Sequence, residues 1–345
     1  MDRVPPACGK TLWRKKACLP SMALPPAKSY STETTGGLQM AGNGVASIGE
    51  CMLELSGQTG PNWCMGFAGD TFNTLWALHA LSEDRPATYV SAFGDDPFSQ
   101  GQIGFFAENG IGIGSSPVIP GARPGLYAIT LTGAERSFTY WRGDAAARQL
   151  ASDPAALSKN LENQALVYFS GITLAILDDA SRKTLLEAVT KARAAGSLIA
   201  FDPNYRPRLW RNRESAQAAI VEALGVTDVA LPTFPDEQML FGDETPRATA
   251  ERLGQWVGEV IVKNGEQPAL IAESGTLHDV PAIHVAAPVD TTGAGDSFNG
   301  GYLAARLAGH GPQEAASRAH RVAAAVVQVR GALAPFETLR AAFDS

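Results

Sequence analysis

From Val45 onward the chain repeats one rhythm, a short apolar run followed by an amphipathic stretch. The runs are V-A-S-I at 45–48, T-Y-V-S-A-F at 88–93, L-V-Y-F-S at 166–170 and S-L-I-A-F at 197–201, with further ones at 226–231 and 260–262. Helical patterns near 214–224 and 247–258 lie between the later runs. Apolar runs of this length read as buried strands, and strands alternating with helices form a largely parallel sheet covered on both faces. The expected fold class is α/β.

One stretch breaks the rhythm. Residues 124–142, P-G-L-Y-A-I-T-L-T-G-A-E-R-S-F-T-Y-W-R, read as two strands joined at T-G-A-E, a hairpin rather than a strand–helix unit. With 51–67 they are expected to form a small sheet apart from the main one. Such an excursion is a candidate lid, since closing one over a site excludes water.

A formal charge of −7 without a compensating basic face argues against nucleic-acid binding. No stretch reaches the roughly 18 consecutive apolar residues of a membrane span, because runs such as V-A-A-A-V-V-Q-V at 322–329 are interrupted. Cys8, Cys18, Cys51 and Cys64 form no C-x-x-C pair and the five histidines are scattered, which reads as reduced, cytoplasmic thiols without a metal cluster. Residues 1–43 read as a separate tail, rich in Pro, Ser and Thr and basic (Arg3, Lys10, Arg14, Lys15, Lys16, Lys28), and residues 44–345 as the globular domain. The tail lacks the apolar core of a secretory signal, leaving a transit peptide, an expression scar or an upstream start before Met40.

The segment V-D-T-T-G-A-G-D-S-F at 289–298 precedes the helical pattern N-G-G-Y-L-A-A-R-L-A. Gly293, Ala294 and Gly295 let the backbone turn and aim its N–H groups outward at a helix start, where the dipole favours an anion. Asp296, directly after this cradle, would stand beside the bound anion as a base. Two look-alikes fall away. Gly9-Lys10-Thr11 lacks the first glycine of a phosphate loop, and G-I-G-I-G at 110–114 has Pro117 where a dinucleotide fingerprint needs glycine.

D-T-T-G-A-G-D-S-F resembles the C-terminal signature of the ribokinase-like (PfkB-type) carbohydrate kinases, and G-F-A-G-D-T-F-N-T at 66–74 is similar to their N-terminal substrate motif. The resemblance spans essentially all of 44–340. It implies the ribokinase-like fold with a small β-sheet lid, ATP and Mg2+ as cofactors, Asp296 as catalytic base, and sugar hydroxyls held by Gly69, Asp70 and Asn73. E-R-S-F-T-Y-W-R at 135–142 and F-D-P-N-Y-R at 201–206 are similar to the 2-keto-3-deoxygluconate kinases of that family. A keto acid carries a carboxylate, which arginine's planar fork binds through paired hydrogen bonds. Arg142 and Arg206 are the candidate forks, with Tyr127 and Tyr140 as hydroxyl and wall. I-V-K-N-G at 261–265 resembles the nucleotide segment, so Lys263 and Gly265, with Asn204, Gly293 and Gly295, are expected at the nucleotide. In L-P-T-F-P-D-E at 231–237, Phe234 replaces the Asn of the family's N-x-x-E motif while Glu237 remains as an indirect metal residue.

The expected reaction is phosphorylation of the sugar's primary hydroxyl. The alternatives are a kinase for a neutral sugar such as fructose or ribose, and a catalytically silent sugar-binding protein of the same fold. The expected partners are an acidic sugar and, to cover an open lid edge, a second copy of the chain in a dimer or higher oligomer.

Overall fold

A computed structural model describes residues 42–57, 62–132 and 135–345. The expected tail lies outside the described residues up to 41, as do positions 133 and 134 at the centre of the hairpin turn.

The apolar runs become strands of a nine-stranded sheet in the order Thr276–Val280, Ala269–Glu273, Glu259–Val262, Val229–Ala230, Leu198–Asp202, Gln164–Ser170, Gly44–Ile48, Ala87–Val90, Ile111–Gly112. Its neighbours are parallel from Glu259–Val262 to Ile111–Gly112, and the first two strands run antiparallel. Side chains alternate between two cores, as the pleat demands. Leu166 and Tyr168 enter one cluster while Val167 and Phe169 enter the other, and Leu198 and Ile199 split the same way. Helices Asp70–Ala80, Ala294–Leu307, Pro312–Val326 and Phe336–Asp344 cover the first face; Pro154–Asn160, Asp179–Ala194, Arg213–Leu224 and Pro246–Leu253 cover the second.

Three local expectations change. The run at 226–231 yields only the pair Val229–Ala230, since Thr227 and Asp228 turn out of the preceding helix, and the Asp228 carboxylate accepts from Arg193. The helix expected over 247–258 stops at Leu253, where Gly254 and the turn at Trp256 end it. The antiparallel edge was not expected; its hairpin turns on Ser274 and Gly275, both at positive φ (50° and 80°).

A separate four-stranded sheet has the order Trp63–Ala68, Met52–Gly57, Leu126–Thr132, Glu135–Trp141. Its hairpin pairs Tyr127 directly with Tyr140. A small cluster of Met52, Ala68, Tyr127, Ile129 and Ala332 lies beneath it.

Helix Ala294–Leu307 is almost wholly buried, gripped by helix Asp70–Ala80 and helix Pro312–Val326. Two adjacent glycines permit this. A Cβ on Gly300 would come within 2.6 Å of the Thr74 carbonyl oxygen and 2.7 Å of the Ala77 Cβ, and one on Gly301 within 3.2 Å of the Ala319 Cα. Overpacking of a tight contact typically costs about 1–3 kcal/mol. Gly300→Ala is therefore expected to lower stability by about that amount, read as a lower urea midpoint at unchanged slope; an unaltered midpoint would show that the two helices are not in close register here.

Candidate active site

The parallel strands end at one edge, and ligands of open α/β sheets bind outside such carboxyl ends. Asp202 closes its strand there, and Lys263 follows Glu259–Val262. Two helices start at the same place, one at Asp70 and one at Ala294 after Gly293, whose φ of 77° is left-handed. A side chain on Gly293 would also strike Ala332, at 2.7 Å from its Cβ. Both helix starts carry an acid in the first turn, where the dipole stabilises negative charge.

Asp296 is half-buried, and its Oδ2 accepts from Asn73 Nδ2 at 2.8 Å. Burial, reinforced by the charge of Asp70, pushes its carboxyl up to about 7, against the pull of Asn73 and Lys263. Asp70 Oδ2 accepts from Asn204 Nδ2 at 2.8 Å, and burial raises its carboxyl too. Asn204 adopts a left-handed φ of 35°, held by its N–H donating to Asp202 Oδ1 at 3.0 Å.

Several expected roles meet a different geometry. Asn73, only 4% exposed, spends its side chain on Asp296 and on the Gly69 N–H (3.3 Å), so it faces that carboxylate rather than open space. Gly69 is needed for closeness, since a Cβ would sit 2.1 Å from the Glu50 carbonyl oxygen. Lys263 is buried, and its ammonium binds Asp202 Oδ2 at 2.7 Å. The Ala294 N–H is turned toward the Thr291 carbonyl at 3.4 Å, which makes it the poorest donor of the cradle. Glu237 is fully buried on helix Phe234–Phe241 with Oε2 held by Arg252 at 2.6 Å, and burial pushes its carboxyl up to about 7. Its carboxylate serves Arg252 directly.

At the small sheet, the Arg142 guanidinium is paired with Glu50, which is 2% exposed, so the expected carboxylate fork already holds an acid. The Glu50 carboxyl is raised mainly by burial, with Arg142 opposing. The Tyr127 hydroxyl donates to Glu54 and its ring lies 5.7 Å from that of the exposed Tyr140, so Tyr127 presents a wall rather than a hydroxyl. Arg206 keeps about half its side chain exposed and pairs with Asp236 at 3.0 Å. Asp202 and Asn299 carried no sequence-derived role. The first stood unassigned in F-D-P-N-Y-R, and the second follows the signature by one residue. Glu50 carried no sequence-derived role either; it is an acid two residues beyond an apolar strand, and such a group demands a partner once buried.

A cleft of about 310 Å³ opens beside Ala294 and Gly295. Its lining includes Lys263, Gly265 at a φ of 59° and Gly295, together with the apolar side chains of Ile283, Val285 and Phe298. A lining that combines a cation, glycine backbone and apolar side chains suits a ligand with an anionic part and a flat apolar part.

A profile for pfkB family carbohydrate kinase matches residues 43–339. The chain is 42% identical over 313 residues to the 2-dehydro-3-deoxygluconokinase of Dickeya dadantii, covering 88% of this chain and all of that one. It is 41% identical to the protein of the same name from Escherichia coli K12, covering 86% and 99%. Among solved structures, a putative ribokinase II from E. coli in complex with ATP and Mg2+ superposes with a TM-score of 0.76 at 26% identity, over 88% of this chain and 99% of that one. No helix among the described residues is long and apolar enough to cross a membrane. With an acid at a left-handed glycine turn, a cleft beside it and a match over nearly the whole described chain, the protein belongs to the pfkB family of carbohydrate kinases.

Proposed function

We propose that this kinase transfers the γ-phosphoryl group of MgATP to the primary hydroxyl of 2-keto-3-deoxygluconate (2-dehydro-3-deoxygluconate), giving the 6-phosphate. The observation that carries the reading is Asp296, a half-buried carboxylate at a helix start beside the cleft, its proton affinity raised to about 7 by burial. A base tuned near neutral pH both accepts a hydroxyl proton and gives it up again. The two relatives above 40% identity support the substrate.

The cleft fits the nucleotide. Ile283, Val285 and Phe298 offer the base an apolar slot, while Gly265 and Gly295 let the backbone approach phosphates. Among the described residues no group of three or more His, Cys, Asp or Glu could hold a metal ion. A Mg2+ arriving with the nucleotide would then be held largely by phosphate oxygens and water, the Glu237 carboxylate being engaged by Arg252.

Asp296 takes the hydroxyl proton as that oxygen attacks the γ-phosphorus in line, and the N–H groups of the 293–295 turn and the helix dipole meet the developing charge. Asp70, oriented by Asn204, accepts from a sugar hydroxyl. Arg142 and Arg206 hold the sugar's carboxylate, Arg142 sharing it with or exchanging it for Glu50. The four-stranded sheet acts as the lid, with Tyr127 and Tyr140 as its wall.

Asp296→Asn is expected to fold normally and lose about a hundredfold or more in kcat. The same base gives the native enzyme a kcat that falls as pH drops below about 7, because a raised carboxyl is protonated there and cannot accept. A pH–rate profile flat from 5 to 8, or near-normal turnover of the variant, would remove Asp296 from this role. Arg142→Ala and Arg206→Ala should raise KM for the keto acid by about tenfold or more while barely changing turnover of fructose; equal effects on both sugars would refute the carboxylate assignment. Finally, the lid face opposite Tyr127 and Tyr140 leaves Trp63, Met65 and Trp141 exposed, a surface suited to a second copy. Light scattering should give twice the 36.3 kDa chain mass, and a monomer at micromolar concentration would contradict this.

A further inference from the structure

We propose that Asp202 is a positioning residue that locks the base-bearing helix and the Asp70 loop into one frame; the inference rests on the reading of Asp296 as the base. Asp202 is 2% exposed, and both its oxygens are spent inside the protein. Oδ2 accepts from Lys263 Nζ at 2.7 Å and from Asn299 Nδ2 at 2.8 Å, while Oδ1 accepts the Asn204 N–H at 3.0 Å. It therefore touches neither substrate and acts through what it holds.

What it holds closes a ring. Asn299 lies one helical turn beyond Asp296, so anchoring it fixes how the first turn of helix Ala294–Leu307 faces the site. Asn204, pinned in its left-handed turn, holds Asp70 at the start of helix Asp70–Ala80. From that helix Asn73 reaches back to Asp296 at 2.8 Å. The path Asp296, Asn73, Asp70, Asn204, Asp202, Asn299 and back to Asp296 thus joins both acidic helix starts through a single buried carboxylate. An amide at 202 cannot replace it, because its NH2 would face donors on whichever side it turned.

Asp202 also balances charge. The groups around Asp296 are Asp70 and Asn73 from one helix, Asp202 and Lys263 from the strand ends, and the buried Tyr168 hydroxyl, which accepts from Asn299 at 3.1 Å. Removing the Asp202 charge leaves Lys263 uncompensated and favours ionised Asp296. Removing the Lys263 charge leaves Asp202 uncompensated and disfavours it.

The test is kcat against pH at saturating MgATP and keto acid for Asp202→Asn, Lys263→Met and the double variant. Asp202→Asn is expected to lose about tenfold to a hundredfold in kcat and to shift the acid limb to lower pH. Lys263→Met should shift the limb to higher pH. The double variant, which strands no charge and so folds even if Asp202→Asn does not, should return the limb close to its native position while kcat stays about tenfold or more reduced, because Asn299 and Asn204 still lack their anchor. Native kcat in the double variant, or limbs that move together or not at all in the single ones, would overturn the proposal. Failure of the base reading itself is distinguishable, since Asp296→Asn would then retain turnover.

Discussion

The site depends on how each buried acid is partnered. Asp202, Glu237 and Glu50 face a cation, respectively Lys263, Arg252 and Arg142. Asp296 and Asp70, at the two helix starts, are instead held by the neutral amides of Asn73 and Asn204. Burial raises the proton affinity in both groups, at Glu237 as at Asp296; what differs is that a salt bridge supplies an internal counter-charge, whereas an amide orients a carboxylate without one. The same fold thus contains buried acids neutralised from within and buried acids that are only oriented.

That division is built from backbone geometry. Parallel strands deliver Asp202 and Lys263 to one edge, and the left-handed turns at Gly293 and Asn204 bring a helix start and a loop over them. Burial of so many charges is tolerable because each carries hydrogen bonds; a buried ion pair contributes little net stability but becomes costly once one partner is removed. The Glu259–Arg306–Tyr302 network at the other end of helix Ala294–Leu307 follows the same rule, with Tyr302 and Arg306 donating to one carboxylate at 2.6–3.0 Å.

Much of the fold was legible because its signals are local: apolar runs mark strands, T-G-A-E marks a hairpin, and G-A-G-D marks a glycine turn at a helix start. The pairings were less so. Asn73 and Asp296 are 223 residues apart and Glu50 and Arg142 are 92 apart, and no local pattern encodes which amide or acid meets which. The resemblance pointed to Asn73 and, with arginine's chemistry, to Arg142 as ligand-facing groups, while packing gives each an internal partner. Asp202 escaped because nothing distinguishes a strand-end acid that anchors neighbours from one that faces solvent. The antiparallel edge at 269–280 was missed for a different reason, its strands being only half-buried and its turn depending on Ser274 taking a conformation rare outside glycine.

The paired glycines Gly300 and Gly301 bear on mechanics as well as packing. Squeezed between two neighbours at backbone distance, the helix that bears Asp296 has no slack in which to slide or rotate. The four-stranded sheet, by contrast, rests on a cushion of five buried residues. The molecule thus seats Asp296 on a fixed anvil, a helix clamped at backbone distance on two sides, while the four-stranded sheet stands apart on its own small core.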